Sequence, residues 1–156
     1  MEQRILVAFD ESENAMRAVD FICAHFTPQH KVTLFSVIPD SVALCSIGGP
    51  GLTPYFITQK DTFCEMEERK KALISEAMEA ARGRLLKAGF EEGKIALRTV
   101  VQERGIARDI LEEASTGYDM VVIGRRGLSG IQQFLMGSVS QKVLGGVGHI
   151  PVIIVN

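Results

Sequence analysis

The chain alternates short apolar runs with stretches in which apolar residues recur every three or four positions. Residues 4–9 (RILVAF), 31–38 (KVTLFSVI), 95–101 (IALRTVV), 120–123 (MVVI) and 151–155 (PVIIV) are compact and rich in β-branched residues, and they read as buried strands. Between the first two, Ala15, Ala18, Val19, Ile22, Cys23 and Phe26 share one helical face, opened by Ser12 as an N-cap and closed by Pro28. Residues 62–88 predict a long amphipathic helix ended by Gly89. Its inward side would hold Phe63, Met66, Leu73, Ile74, Ala77, Met78, Ala81 and Leu85, with the EMEERKK charges solvated. A short helix after Gly105 turns Ile106, Ile110, Leu111 and Ala114 inward, and another opens at Ser138 with Val139, Val143 and Leu144. Strands alternating with helices predict an α/β fold, an open parallel sheet with helices on both faces and right-handed crossovers.

The pattern lapses over residues 39–61, where Gly48-Gly49-Pro50-Gly51 and Pro54 predict a long loop. Such a loop is either a lid or contact surface, or an excursion without function. No repeat, low-complexity tract or linker interrupts the rest, so residues 1–156 are expected to form a single domain.

Composition narrows the class by exclusion. The chain of 156 residues is 46% hydrophobic and 23% charged, with a formal net charge of −2. That balance gives no electrostatic case for nucleic acid or an anionic membrane. No apolar run nears the roughly 20 residues of a membrane span, and the first apolar run is too short for a signal peptide. The three cysteines, Cys23, Cys45 and Cys64, lack metal-ligand spacing and are expected as reduced thiols in a cytoplasm, Cys23 in the core.

The chemistry concentrates at residues 120–144. A buried strand runs into Gly124, Gly127 and Gly130, then a second turn at Gly137-Ser138 opens a helix. Glycines let the main chain approach a ligand, exposed N–H groups form a concave nest for phosphate oxygens, and a helix start adds further donors. The plainer alternative is a connecting loop with Ser138 as a cap. The spacing fits neither a P-loop nor the dinucleotide fingerprint. In doubly wound sheets the ligand lies beyond the strand carboxyl ends where strand order reverses. Asp10 ends the first strand there; it serves either as a turn former or as a partner for ribose, nucleobase or hydrated metal.

Gly124-Arg125-Arg126-Gly127, followed after nine residues by Gly137-Ser138, matches G-x2-G-x9-G-[ST]. With ILVAFDES, LFSVI and PVIIV, it resembles the nucleotide-binding branch of the universal stress proteins over nearly the whole chain. The resemblance implies an adenine-nucleotide alpha-hydrolase-like sheet of order 3-2-1-4-5. It implies an ATP-binding stress-response and signalling module with an unidentified protein partner, forming a homodimer through the last strand, from Pro151 to Val155. An apolar edge strand of that kind is also a pairing template in its own right. By position, Asp10 would sit near adenine or ribose, and Val37, Ile123 and Gly124 would border the adenosine. Gly127, Gly137, Ser138 and Val139 would hold the phosphates, with any Mg2+ or Mn2+ carried by the phosphates rather than by protein ligands. Arg125 and Arg126 depart from the small residues usual there; they either clamp phosphate or point into solvent or across a dimer.

An enzyme reading remains beside the binding reading: a slow ATPase or phosphotransferase in the same pocket. It has little chemistry to draw on, namely Asp10, Glu11, Ser138 and Ser140, with His25, His30 and His149 expected at the surface. A phosphoacceptor receiver domain would need a lysine near the final strand, and none is there.

Overall fold

The computed structural model describes residues 1–40, 45, 54–126 and 136–156, those at 54–58 by backbone alone. Five parallel strands form one sheet in the order β3-β2-β1-β4-β5. They are β1 (Arg4–Ala8), β2 (Lys31–Ile38), β3 (Ile95–Val101), β4 (Met120–Gly124) and β5 (Val152–Val155). The pleat sends alternate residues to opposite faces, and each face has its own helices. Ile5 and Val7 of β1 and Phe9 just after it, with Val32 and Leu34 of β2, pack under α1 (Glu13–His25) and α2 (Pro54–Lys87). Leu6, Ala8, Phe35, Val37 and Ile123 pack under α3 (Ile106–Ala114) and α4 (Ser138–Gly146). All of β1 past Arg4 is buried, as a central parallel strand covered twice must be. β1 pairs with β2 on one side and β4 on the other, so the strand order reverses between β1 and β4. Among the described residues no helix is long and apolar enough to cross a membrane.

Several expectations need correction. Pro54, read as forbidding regular structure, begins the 34-residue helix α2, eight positions before the expected start. Its fixed φ and missing N–H suit a first helical position, where no intrahelical donor is required. Among the described side chains of α2, burial starts only at Ile74 and continues through Met78, Ala81 and Leu85. Phe63, Met66 and Leu73, expected inward, are 40%, 65% and 49% exposed, because the sheet lies under the later turns alone. His30 is buried rather than superficial; its Nδ1 accepts the Gln3 amide at 3.1 Å, and Phe26 meets its ring edge-on. The expectation of three reduced thiols fails for two of them. Cys45 and Cys64, 19 positions apart, form a disulfide with Cα atoms 5.9 Å apart. That pairing joins the stretch at 39–61 to α2, a contact that spacing alone does not reveal. Cys23 is free and half-buried, and burial pushes its thiol above the ordinary value.

Candidate functional site

The carboxyl ends of β1, β2 and β4 open into a cleft of about 280 Å³. That is at the small end of the range for small-molecule sites, roughly 300–1,000 Å³. One wall is apolar: Ala8, Phe35 and Val37 from the strands, Ile123 from β4, and Ile106 and Ile110 from α3. The other end is polar, made by Gly137 and Ser138 at the start of α4 and by Arg126.

Local bonds hold the glycine segment in this shape. The Gly137 N–H donates to the Arg125 carbonyl at 2.8 Å, and the buried Ser140 hydroxyl donates to the Gly124 carbonyl at 2.8 Å. These two bonds tie the start of α4 to the end of β4. Gly124 has a packing reason to be glycine, since a Cβ there would lie 2.8 Å from the backbone carbonyl group of Asn14. α1 can therefore approach the strand end closely. Gly137, not Ser138, is the N-cap residue of α4, and no side chain caps that helix. Ser138 is exposed at the cleft, and its hydroxyl has no hydrogen-bond partner among the described residues. The capping role considered for Ser138 is thus not the one it performs. The free N–H groups and positive dipole end of the helix face the same space.

On the opposite lip, the β1–α1 turn carries Asp10 and Glu11 into the cleft. Asp10 is indeed a turn former: its Oδ1 accepts the Ser12 amide at 3.0 Å, and Ser12 Oγ caps α1 through the Ala15 amide at 3.2 Å. Of the residues singled out from the sequence, Asp10, Val37, Ile123, Gly124, Gly137, Ser138, Val139 and Arg126 meet around this one cleft. Arg125 is not among its lining residues and donates to the Asn156 side-chain oxygen at 2.9 Å. Gly127 lies outside the described residues.

The cleft also draws on residues that sequence reasoning did not place there. Phe35, Ile74, Ile106 and Ile110 had been read only as core positions, and Lys70 as part of a solvated charge run. A feature of the β3–α3 turn positions Ile106. The buried Asp109 carboxylate accepts the amides of Glu103 and Arg104 at 2.9 and 3.0 Å, fixing the start of α3. An acid four residues into a helix behind a glycine was the available signal.

The architecture is a doubly wound parallel α/β sheet with a glycine-flanked cleft at its reversal point, the place where sheets of this kind commonly hold ligands. The universal stress protein family model matches residues 1–156, and the chain belongs to that family. The universal stress protein YxiE of Bacillus subtilis (strain 168) is 27% identical over 158 residues, covering 99% of this chain and 99% of that one. The structure of universal stress protein UspA from Lactobacillus plantarum is similar with a TM-score of 0.70 at 20% identity, over 99% of this chain and 97% of that one. A universal stress protein crystallised in complex with cAMP is similar with a TM-score of 0.60 at 21% identity, over 99% and 96% of the two chains.

Proposed function

We propose that the cleft binds an adenine nucleotide, ATP in the first instance, and that the protein is a nucleotide-dependent stress-response and signalling module. The observation that carries this reading is the division of one cleft into an apolar wall and an anion-seeking end. Ala8, Val37, Ile106, Ile110 and Ile123 suit a flat, weakly polar base. The uncapped start of α4, the unpartnered Ser138 hydroxyl and Arg126 suit phosphate oxygens. A family relative of similar fold that was solved with cAMP supports an adenine nucleotide as the ligand class. A divalent ion such as Mg2+ or Mn2+ would be carried by the phosphates. We further propose a homodimer through β5, a sheet-edge strand whose four residues are all half-buried.

The test is to purify the protein without added nucleotide, denature it, and identify the released small molecules by chromatography and mass spectrometry. ATP near one per chain, or ATP binding on titration of the stripped protein, is the expected result. Recovery of nothing, with no binding on titration, would remove the reading. Hydrolysis is expected to stay below roughly 1 per second, the low end of typical enzymes, and faster turnover would make the protein an enzyme.

A further inference from the structure

One polar atom in the molecule stands apart. Glu11 Oε2 is sheltered from solvent and has no hydrogen-bond partner, the single buried side-chain atom of this kind among the described residues. Neither an ion pair nor any other hydrogen bond involves the Glu11 side chain among those residues. Leaving a carboxylate oxygen enclosed and unsatisfied is costly, and folded proteins rarely do so without use. Its neighbour makes the contrast plain, because Asp10 already accepts the Ser12 amide. Glu11 lines the cleft, so the missing donor can be supplied by whatever fills it.

The cleft itself indicates which part of a ligand that is. The apolar wall comes from β2, α3 and β4 and offers a carboxylate nothing. The end formed by α4 and Arg126 attracts anions, and a phosphate placed there would repel a second negative charge nearby. Of the neutral donors a nucleotide carries, the ribose hydroxyls are the ones that form short O–H···O⁻ bonds to a carboxylate. We infer that Glu11 is a specificity-determining residue of the cleft, accepting hydrogen bonds from the ribose hydroxyls of the bound nucleotide. This rests on the nucleotide reading above and adds to it a preference for ribonucleotides over deoxyribonucleotides.

The experiment is calorimetric titration of the full chain, as wild type, Glu11→Gln and Glu11→Ala, with ATP, 2′-deoxy-ATP and 3′-deoxy-ATP, each with Mg2+ and with EDTA. The wild type is expected to favour ATP over at least one deoxy analogue by about tenfold or more, the worth of a hydrogen bond to a charged group. Glu11→Ala should bind all three ligands alike and more weakly, while Glu11→Gln, which keeps a neutral acceptor, falls between. The urea midpoint of Glu11→Ala should be no lower than that of the wild type, since an unpaired buried atom is removed. Sugar discrimination that survives Glu11→Ala would overturn the inference. So would an affinity loss seen only with Mg2+, which would make Glu11 a metal contact. A wild type that binds ATP but ignores the sugar hydroxyls sinks this inference alone, whereas a wild type that binds none of the three sinks the nucleotide reading with it.

Discussion

The two ends of the sheet differ in how far their polar groups are paired within the protein. At the amino end the groups are paired. The Arg4 amide donates to Asp119 Oδ2 at 2.7 Å, the Asp119 amide returns a bond to the Arg4 carbonyl at 2.9 Å, and the Arg4 guanidinium donates to the Gly117 carbonyl at 2.9 Å while lying over the Tyr118 ring. Tyr118 in turn donates to the buried Glu113 carboxylate at 2.9 Å, which also takes Arg98 at 3.1 Å. Gly117, at φ +106°, makes room for the Arg4 guanidinium, which a Cβ would approach to 2.9 Å. At the carboxyl end Glu11 Oε2 and the Ser138 hydroxyl have no protein partner among the described residues, and no side chain caps α4. The first end is paired as it folds; the second keeps unpartnered polar atoms beside paired ones such as Asp10 Oδ1 and Ser140 Oγ. Substitutions should therefore separate, with stability changes at one end and affinity changes at the other.

Gly124→Ala should have the largest effect and marks where the separation ends. It lies at the cleft, yet its Cβ would strike the Asn14 backbone, so it should lower unfolding stability by about 1–3 kcal/mol. A denaturant midpoint equal to wild type would show that α1 yields easily there. Ser138→Ala should leave the midpoint within about 0.5 kcal/mol of wild type and weaken ATP binding about tenfold, as calorimetry would show. Equal affinity would mean that the hydroxyl faces solvent only. Asp119→Ala should do the reverse, costing about 1 kcal/mol of stability with ATP affinity unchanged. A change in affinity would couple the two ends.

The smallest effect is a pH dependence at the amino end. Burial raises the Tyr118 hydroxyl above its ordinary value of 10.0, so the folded state favours the neutral phenol. Its contribution is fully present below pH 10.0 and is lost as pH rises through the folded value. Tyr118→Phe should flatten the alkaline fall in stability measured by urea titration above that pH, and an unchanged slope would place the titrating group elsewhere.

The fold was legible because hydrophobic period decides it: every strand was located to within a residue or so, and β1 and β4 were correctly placed at the reversal point. The glycine end of the cleft was legible for a related reason, since Gly124, Gly137 and Ser138 are close in sequence and their spacing is informative. What sequence missed depends on long-range packing. Ile106 and Ile110 are apolar in any reading, and only the crossing of α3 over β4 makes them a pocket wall. Lys70 looked like one charge among six in EMEERKK until α2 laid it at the cleft. Pro54 looked like a breaker because a proline is ambiguous between ending one segment and starting a helix. The lack of a partner at Glu11 is a property of three-dimensional surroundings and has no sequence signature.

Hydrogen–deuterium exchange of the nucleotide-stripped protein, with and without saturating ATP, tests the contrast between the two ends most directly. ATP should slow exchange in the β1–α1 turn at residues 10–14 and at the start of α4 at residues 137–140, and leave residues 3–4 and 116–119 unchanged. Protection at the amino end, or none at either end with ATP saturating, would contradict the assignment of the carboxyl-end cleft as the binding site.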